Sequence, residues 1–232
     1  MRIAIMQPYF FPYIGYFQLI NAVDKFIFYD DVSFINKGWI NRNRILLNGK
    51  DHLFTIALKS ASQNKLINQI EICKQNNKIV KTIKQAYSKA PYFKDVFTLI
   101  QQVFDKMNET KSISKIAEIS VKMVSNYLNL STFFITSSEK YSYTQNLYRE
   151  KRLIDICQEN GANIYINSSS GKILYNHESF KENGIKLFFI KNNINTYKQF
   201  NNDFIPRLSI IDVMMFNDKK TITEFLNNYE IE

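Results

Sequence analysis

Residues 2–31 read RIAIMQPYFFPYIGYFQLINAVDKFIFYDD, and their pattern decides the fold. RIAIMQ (2–7) is a short apolar run halted by Pro8, which reads as a buried strand. A proline-interrupted loop follows, and then Ile14, Phe17, Gln18 and Asn21 recur at helical spacing, with Leu19 and Ile20 filling the apolar stripe. KFIFY (25–29) is aromatic and β-branched, the composition of a second strand, and it stops at Asp30-Asp31. Strand, loop, helix and strand within about thirty residues is the spacing of a βαβ unit, so the two strands are expected to be parallel and joined by a right-handed crossover.

The same reading extends outward. WINRNRILL (39–47) and HLFTIAL (52–58) flank Asn48-Gly49, the strongest short-range hairpin signal. Three helical patterns follow over 77–89, 94–107 and 112–129, with no flexible linker on either side. They read as a helical insertion, about 77–130, in a single domain spanning 1–232. The last third alternates again: a helix near 146–159 stopped by Gly161, strand NIYI, the polar turn NSSSG, a helix around 176–183, strand IKLFFI, and helices over 208–217 and 221–229. The expected fold is α/β: a mostly parallel central sheet opened by the βαβ unit, with an added β-hairpin and a helical insertion.

Composition excludes several classes. The 232 residues are 45% hydrophobic and 15% aromatic, which supports a sizeable core and rules out collagen, coiled coil and bulk disorder. No apolar run approaches the roughly 20 residues of a bilayer span. The N-terminus is a poor match to a signal peptide. Cys73 and Cys157 are too few for a disulfide framework or a thiolate metal site, so a reducing cytoplasm is expected. His52 and His177 have no ligand spacing, and no metal is expected. The net charge of +9 is concentrated. Between Lys37 and Lys94 twelve basic residues, Lys74, Lys78, Lys81 and Lys84 among them, face only Asp51 and Glu71. Such a field attracts phosphorylated substrates or an acidic protein. A sequence pI of about 9.3 also fits nucleic acid, but no recognised module and no interleaved stacking platform is present, so none is expected.

Three polar clusters fall after strand ends, where open α/β sheets bind ligands. They are Gln7-Pro8-Tyr9 with Pro12 and Gly15; Asp30-Asp31 with the following Lys37, Trp39, Asn41, Arg42 and Asn43; and Asn167-Ser168-Ser169-Ser170-Gly171-Lys172. Each also reads as a plain turn or cap, and the serine turn lacks the Walker pattern. On a strand Asn41 and Asn43 point one way and Arg42 and Arg44 the other, with Trp39, the only Trp, on the Asn side. Two arginines on one face suit a phosphate or carboxylate. Gln7, Asp30, Asp31, Asn41 and Arg42 are expected to share one pocket.

The opening MQPYFFPYIGYFQLINAVDKFIFYDDVSFINKGWINRNRI (6–45) closely resembles the signature of the WbqC-like family. The likeness continues in AYSKAPYF (86–93), IYINSSSGKILYN (164–176), GIKLFF (184–189), TYKQF (196–200) and FIPRLSIIDVMMFN (204–217), covering nearly the whole chain. Met6 stands where many members have His, and Ser33 replaces the usual Gln. The resemblance implies a cytoplasmic role beside enzymes of surface-glycan, O-antigen and lipopolysaccharide biosynthesis. It makes acyl or aminoacyl transfer to a nucleotide-linked amino sugar the most natural step, with coenzyme A or an acidic acyl or peptidyl carrier protein as thioester donor. In that reading Asp30 or Asp31 is the base, Gln7 and Asn41 position the reactants, and Lys37 and Arg42 take the pyrophosphate. Tyr9, Trp39, Asn43, Ser170, Gly171 and Gln199 complete the substrate site. The alternatives are an ATP-dependent nucleotidyl-transfer or ligase-type enzyme, or a non-catalytic nucleotide-sugar-binding assembly protein.

Overall fold

The computed structural model describes residues 1–73 and 77–232; Lys74 lies outside the described residues. β1 (Arg2–Met6), α1 (Ile14–Asn21) and β2 (Lys25–Phe28) form the expected unit. β1 and β2 pair in parallel, Ile3 opposite Lys25 and Met6 opposite Phe28. The hairpin is β3 (Arg42–Leu47) and β4 (Lys50–Thr55), turned by Asn48 and Gly49, both at positive φ as a two-residue type I′ turn requires. A small ladder of β5 (Leu58–Lys59) and β6 (Glu71–Ile72) precedes the helical block: α2 (Asn77–Tyr87), α3 (Phe93–Lys106) and α4 (Ile113–Tyr127). β7 (Phe133–Thr136), α5 (Ser137–Lys140), α6 (Arg149–Glu159), β8 (Ile164–Ser168), α7 (His177–Glu182) and β9 (Lys186–Asn192) follow. The chain closes with α8 (Ile210–Phe216), α9 (Lys219–Leu226) and β10 (Tyr229–Ile231).

Six strands share one sheet in the order β10-β9-β8-β1-β2-β7, with only β10 antiparallel to its neighbour. Strand alternation splits the apolar side chains into two cores. Ala4, Phe26, Phe28, Ile166 and Ile190 face α1 and the helical block, while Ile3, Ile5, Ile27, Tyr165 and Phe189 face α6 and α7. Burial on both faces explains why these strands read as continuous apolar runs. From β1 the chain adds β2 and β7 on one side and β8 and β9 on the other, so the order reverses between β1 and β8. That is the topological switch point, where such sheets bind ligands beyond the carboxyl ends of their strands.

The loop leaving β1 is pinned. Phe11 adopts φ +42° with no glycine to ease it. Its N–H donates to Ser120 Oγ (3.1 Å), and its carbonyl accepts from Asn43 Nδ2 and Ser209 Oγ (2.7 Å each). α4, β3 and the cap of α8 thus grip the two peptide groups of one residue. A second buried staple joins the same parts. The Asp212 carboxylate accepts from the Tyr87, Tyr197 and Gln199 side chains at 2.6–2.7 Å, and Tyr87 Oη accepts the Leu46 N–H (2.8 Å). Tyr87→Phe removes a donor from a buried carboxylate and strands a buried N–H. Thermal unfolding is expected to show a loss of about 1–3 kcal/mol, several degrees in Tm.

Candidate functional site

A cavity of about 590 Å3 opens at the switch point. Tyr9, Pro12 and Tyr13 from the loop after β1 form one wall, and Ser168–Ser170 after β8 form another. Trp39, Asn43 and Arg44 enter from the hairpin, and Arg207 from the segment before α8. Arg44, Lys191 and Arg207 are cationic, and no carboxylate lines the cavity among the described residues. Burial pushes the Tyr9 and Tyr13 hydroxyls up, so both stay neutral hydrogen-bonding groups. Tyr13 Oη donates to Asn192 Oδ1 (3.3 Å). A second cavity, about 660 Å3, lies among β5, β6, α2 and α3, and no residue of the six-stranded sheet lines it.

The sequence-derived set is divided. Tyr9, Trp39, Asn43 and Ser170 line the switch-point cavity; Gln7, Asp30, Asp31, Asn41, Arg42 and Lys37 do not. Gln7 is half-buried and its carbonyl accepts from Tyr16 Oη (2.8 Å). Asp30, buried after β2, accepts from Ser138 N–H (2.9 Å) and Ser138 Oγ (2.7 Å), and burial raises its pKa. Asp31 forms a buried ion pair with Arg152 (2.5 Å). Asn41 donates to the Ile56 carbonyl (2.8 Å). Gln199 is committed to Asp212 and to both backbone groups of Ile205. Gly171 is buried where a Cβ would meet Tyr175 and Asn167 at 3.2–3.3 Å.

Trp39 sits otherwise than strand alternation suggested. Both Arg42 and Arg44 lie over its ring, with Cζ 5.6 and 5.8 Å from the centroid. β3 begins only at Arg42, so the alternation does not reach back to residue 39. Residues 37–41 instead form a turn, with Lys37 at φ +59°. The Arg42 guanidinium holds that turn by donating to the Gly38 carbonyl (2.9 Å) and the Lys37 carbonyl.

Arg207, Lys191 and Glu118 escaped the sequence reading. Arg207 carried no motif signal beyond its place in FIPRLS. Glu118 looked like one polar residue among others on α4, yet it is 2% exposed, and one of its carboxylate oxygens has no partner. Its other oxygen accepts from Thr136 Oγ1 (2.8 Å). The buried serines of α4, Ser114, Ser120 and Ser125, were the available sign that this helix is enclosed on more than one stripe.

The fold is that of an α/β protein with an open, mostly parallel sheet, and its cationic, aromatic cavity lies where such sheets ordinarily bind ligands. The chain belongs to the WbqC-like protein family, whose model matches residues 7–224. It is 26% identical over 223 residues to "Uncharacterized protein Rv1507c" of Mycobacterium tuberculosis (strain ATCC 25618 / H37Rv), with 93% of each chain covered. No solved structure matches it. No described helix is long and apolar enough to cross a membrane.

Two outcomes follow from this geometry. A Cβ at Gly15 would lie 2.3 Å from the Tyr13 ring and 2.7 Å from the Asn192 amide. Gly→Ala in a helix ordinarily stabilises by roughly 0.5–1 kcal/mol, so Gly15→Ala is expected to reverse that sign and lower Tm. For Glu118, burial outweighs Lys115, Thr136 and Lys122 and raises the pKa above the ordinary 4.5. The folded state then holds the proton longer than the unfolded state, so this group's contribution falls as pH rises from 4.5 through the raised value. Glu118→Gln is therefore expected to gain stability relative to wild type over that window, read by denaturant titration at several pH values.

Proposed function

We propose that this protein is a cytoplasmic transferase of surface-glycan biosynthesis that N-acylates a nucleotide-linked amino sugar. The observation that carries the reading is the switch-point cavity, with three cationic side chains, several aromatic rings and no lining carboxylate among the described residues. Trp39, 41% exposed, offers a face for a base or sugar ring. The cations suit a diphosphate. They also disfavour an ammonium ion, which keeps the sugar amine neutral and nucleophilic.

The chemistry balances without a carboxylate in the cavity. The amine nitrogen attacks the thioester carbonyl of an acyl group on coenzyme A or a carrier protein. The cationic wall steadies the oxyanion. The C–N bond then forms as the C–S bond breaks. The departing thiolate, with a thiol pKa of about 8.5, takes the proton that the amine releases. Asp30, the base of the motif reading, does not line the cavity and accepts from Ser138 with both oxygens, so the step is drawn without it. Lys78, Lys81 and Lys84 stand exposed on α2 and form the proposed docking face for an acidic carrier.

The lack of a lining carboxylate also favours a second reading, a nucleotide-sugar-binding assembly protein that needs no base. Mass spectrometry separates them. Purified protein mixed with UDP- or dTDP-amino sugars and acyl-CoA or acyl-carrier donors is expected to yield a singly acylated sugar, with Asp30→Asn retaining turnover. Turnover abolished by Asp30→Asn, with the fold intact, would make Asp30 the base. No product from any donor, despite sugar binding, would favour the assembly protein.

A further inference from the structure

We infer that Arg44 and Arg207 together grip the diphosphate of the bound nucleotide-linked sugar, a role the motif reading gave to Arg42 and Lys37. The inference rests on the ligand class just proposed and assigns its anionic part to particular residues.

Three observations converge. First, the two guanidinium-bearing residues meet on one wall of the cavity: Arg44 Nη2 donates to the Arg207 carbonyl (3.3 Å), and both line the same space. The contact runs from the Arg44 guanidinium to the Arg207 backbone and sets the two residues side by side on that wall. Among the described residues one acid pairs with either of them, Asp51, 3.1 Å from Arg44 Nη1. Arg207 makes no ion pair among the described residues, and Arg44 Nε is buried with no partner. Arg44 thus keeps one donor, Nε, that meets no protein acceptor, while Nη1 and Nη2 engage Asp51 and the Arg207 carbonyl.

Second, Arg207 is held in the left-handed region at φ +57°. A non-glycine residue there is strained, and such strain persists where the surroundings impose it, often at ligand sites. Ser209 N–H donates to the Arg44 carbonyl (2.8 Å), Ile210 N–H to the Pro12 carbonyl (2.8 Å), and Gln199 fixes Ile205 from both sides. The segment 205–210 is thereby fastened to the hairpin and to the loop after β1, with Arg207 at the cavity wall.

Third, the other basic candidates are less well placed: Arg42 and Lys37 do not line the cavity. The Arg42 fork serves the Gly38 and Lys37 carbonyls, and Lys191 pairs with Glu230 (3.1 Å) and Glu232 (3.9 Å). A diphosphate between Arg44 and Arg207 would place its nucleoside or sugar near Trp39, over which Arg44 already lies. Planar guanidinium forks bind phosphate oxygens bidentately, which lysine does not.

The test uses Trp39, the only tryptophan, as an intrinsic probe on the cavity wall. Its fluorescence is followed during titration with inorganic pyrophosphate, UDP and a UDP-sugar, with calorimetry in parallel. Arg207→Gly removes the side chain while relaxing a positive φ, so it is expected to fold at least as well as wild type. Arg44→Gln is the second variant, Arg207→Lys keeps charge without the fork, and Lys181→Ala on α7 controls for loss of surface charge. Saturable binding is expected in wild type for all three ligands. It should weaken about ten-fold or more in Arg207→Gly and Arg44→Gln, less in Arg207→Lys, and not at all in Lys181→Ala. Unchanged affinity in Arg207→Gly, or no saturable binding of pyrophosphate or UDP to wild type, would overturn the inference. Binding that depends on both arginines without any acyl transfer would leave the grip standing and remove only the N-acylation reading.

Discussion

Phe11 is the point on which the architecture of the switch-point cavity depends. A non-glycine residue at φ +42° carries a conformational cost of about 1 kcal/mol or more. Two buried donors, Asn43 and Ser209, converge on the carbonyl oxygen of that residue, and Ser120 receives its N–H. Each of those partners belongs to a different part of the chain: the hairpin, the cap of α8 and the helical block. The clamp therefore does two things. It turns the loop after β1 so that Tyr9, Pro12 and Tyr13 face the switch point, and it holds the hairpin and the α8 segment against that loop. Trp39, Arg44 and Arg207 reach one cavity through those attachments.

The Asp212 staple reinforces the arrangement from behind. Tyr87, Tyr197 and Gln199 satisfy a fully buried carboxylate, and Tyr197 also lines the cavity. Buried polar networks of this kind specify one arrangement because a half-satisfied version is costly. Several positions of the family motifs, Tyr87, Gln199 and Asp212 among them, thus act as structural ties between the helical block, the hairpin and the cavity loop. Asp31, paired with the buried Arg152, belongs to the same category on the opposite face of the sheet.

Much of this was legible in the sequence because the relevant signals are periodic and local. The short apolar runs and helical spacing of residues 2–29 matched β1, α1 and β2, and Asn48-Gly49 matched the hairpin. The strands that went unread are short: β7 (FFIT) and β10 (Tyr229–Ile231) lie at the edges of the main sheet, and the two-residue β5 and β6 form a ladder of their own. Two or three residues carry no period, and FFIT lacks the bounding aspartates that set off KFIFY. The site was legible in part. Tyr9, Trp39, Asn43 and Ser170 were named from their place after strand ends, and they line the cavity. Arg207 and Lys191 were not, because they reach it from segments remote in sequence, through pairing and hydrogen bonds that no local motif encodes. The concentrated basic run likewise misdirects: of the three cations at the cavity, only Arg44 falls within residues 37–94.

The central claim is that the switch-point cavity between β1 and β8 holds a nucleotide-linked sugar. A crystal structure of the protein soaked with a UDP- or dTDP-sugar tests it most directly. The account predicts ligand density at the carboxyl ends of β1 and β8, with the diphosphate between Arg44 and Arg207 and a ring against Trp39. Density in the cavity among β5, β6, α2 and α3, or beside Asp30 with the switch-point cavity empty, would contradict it.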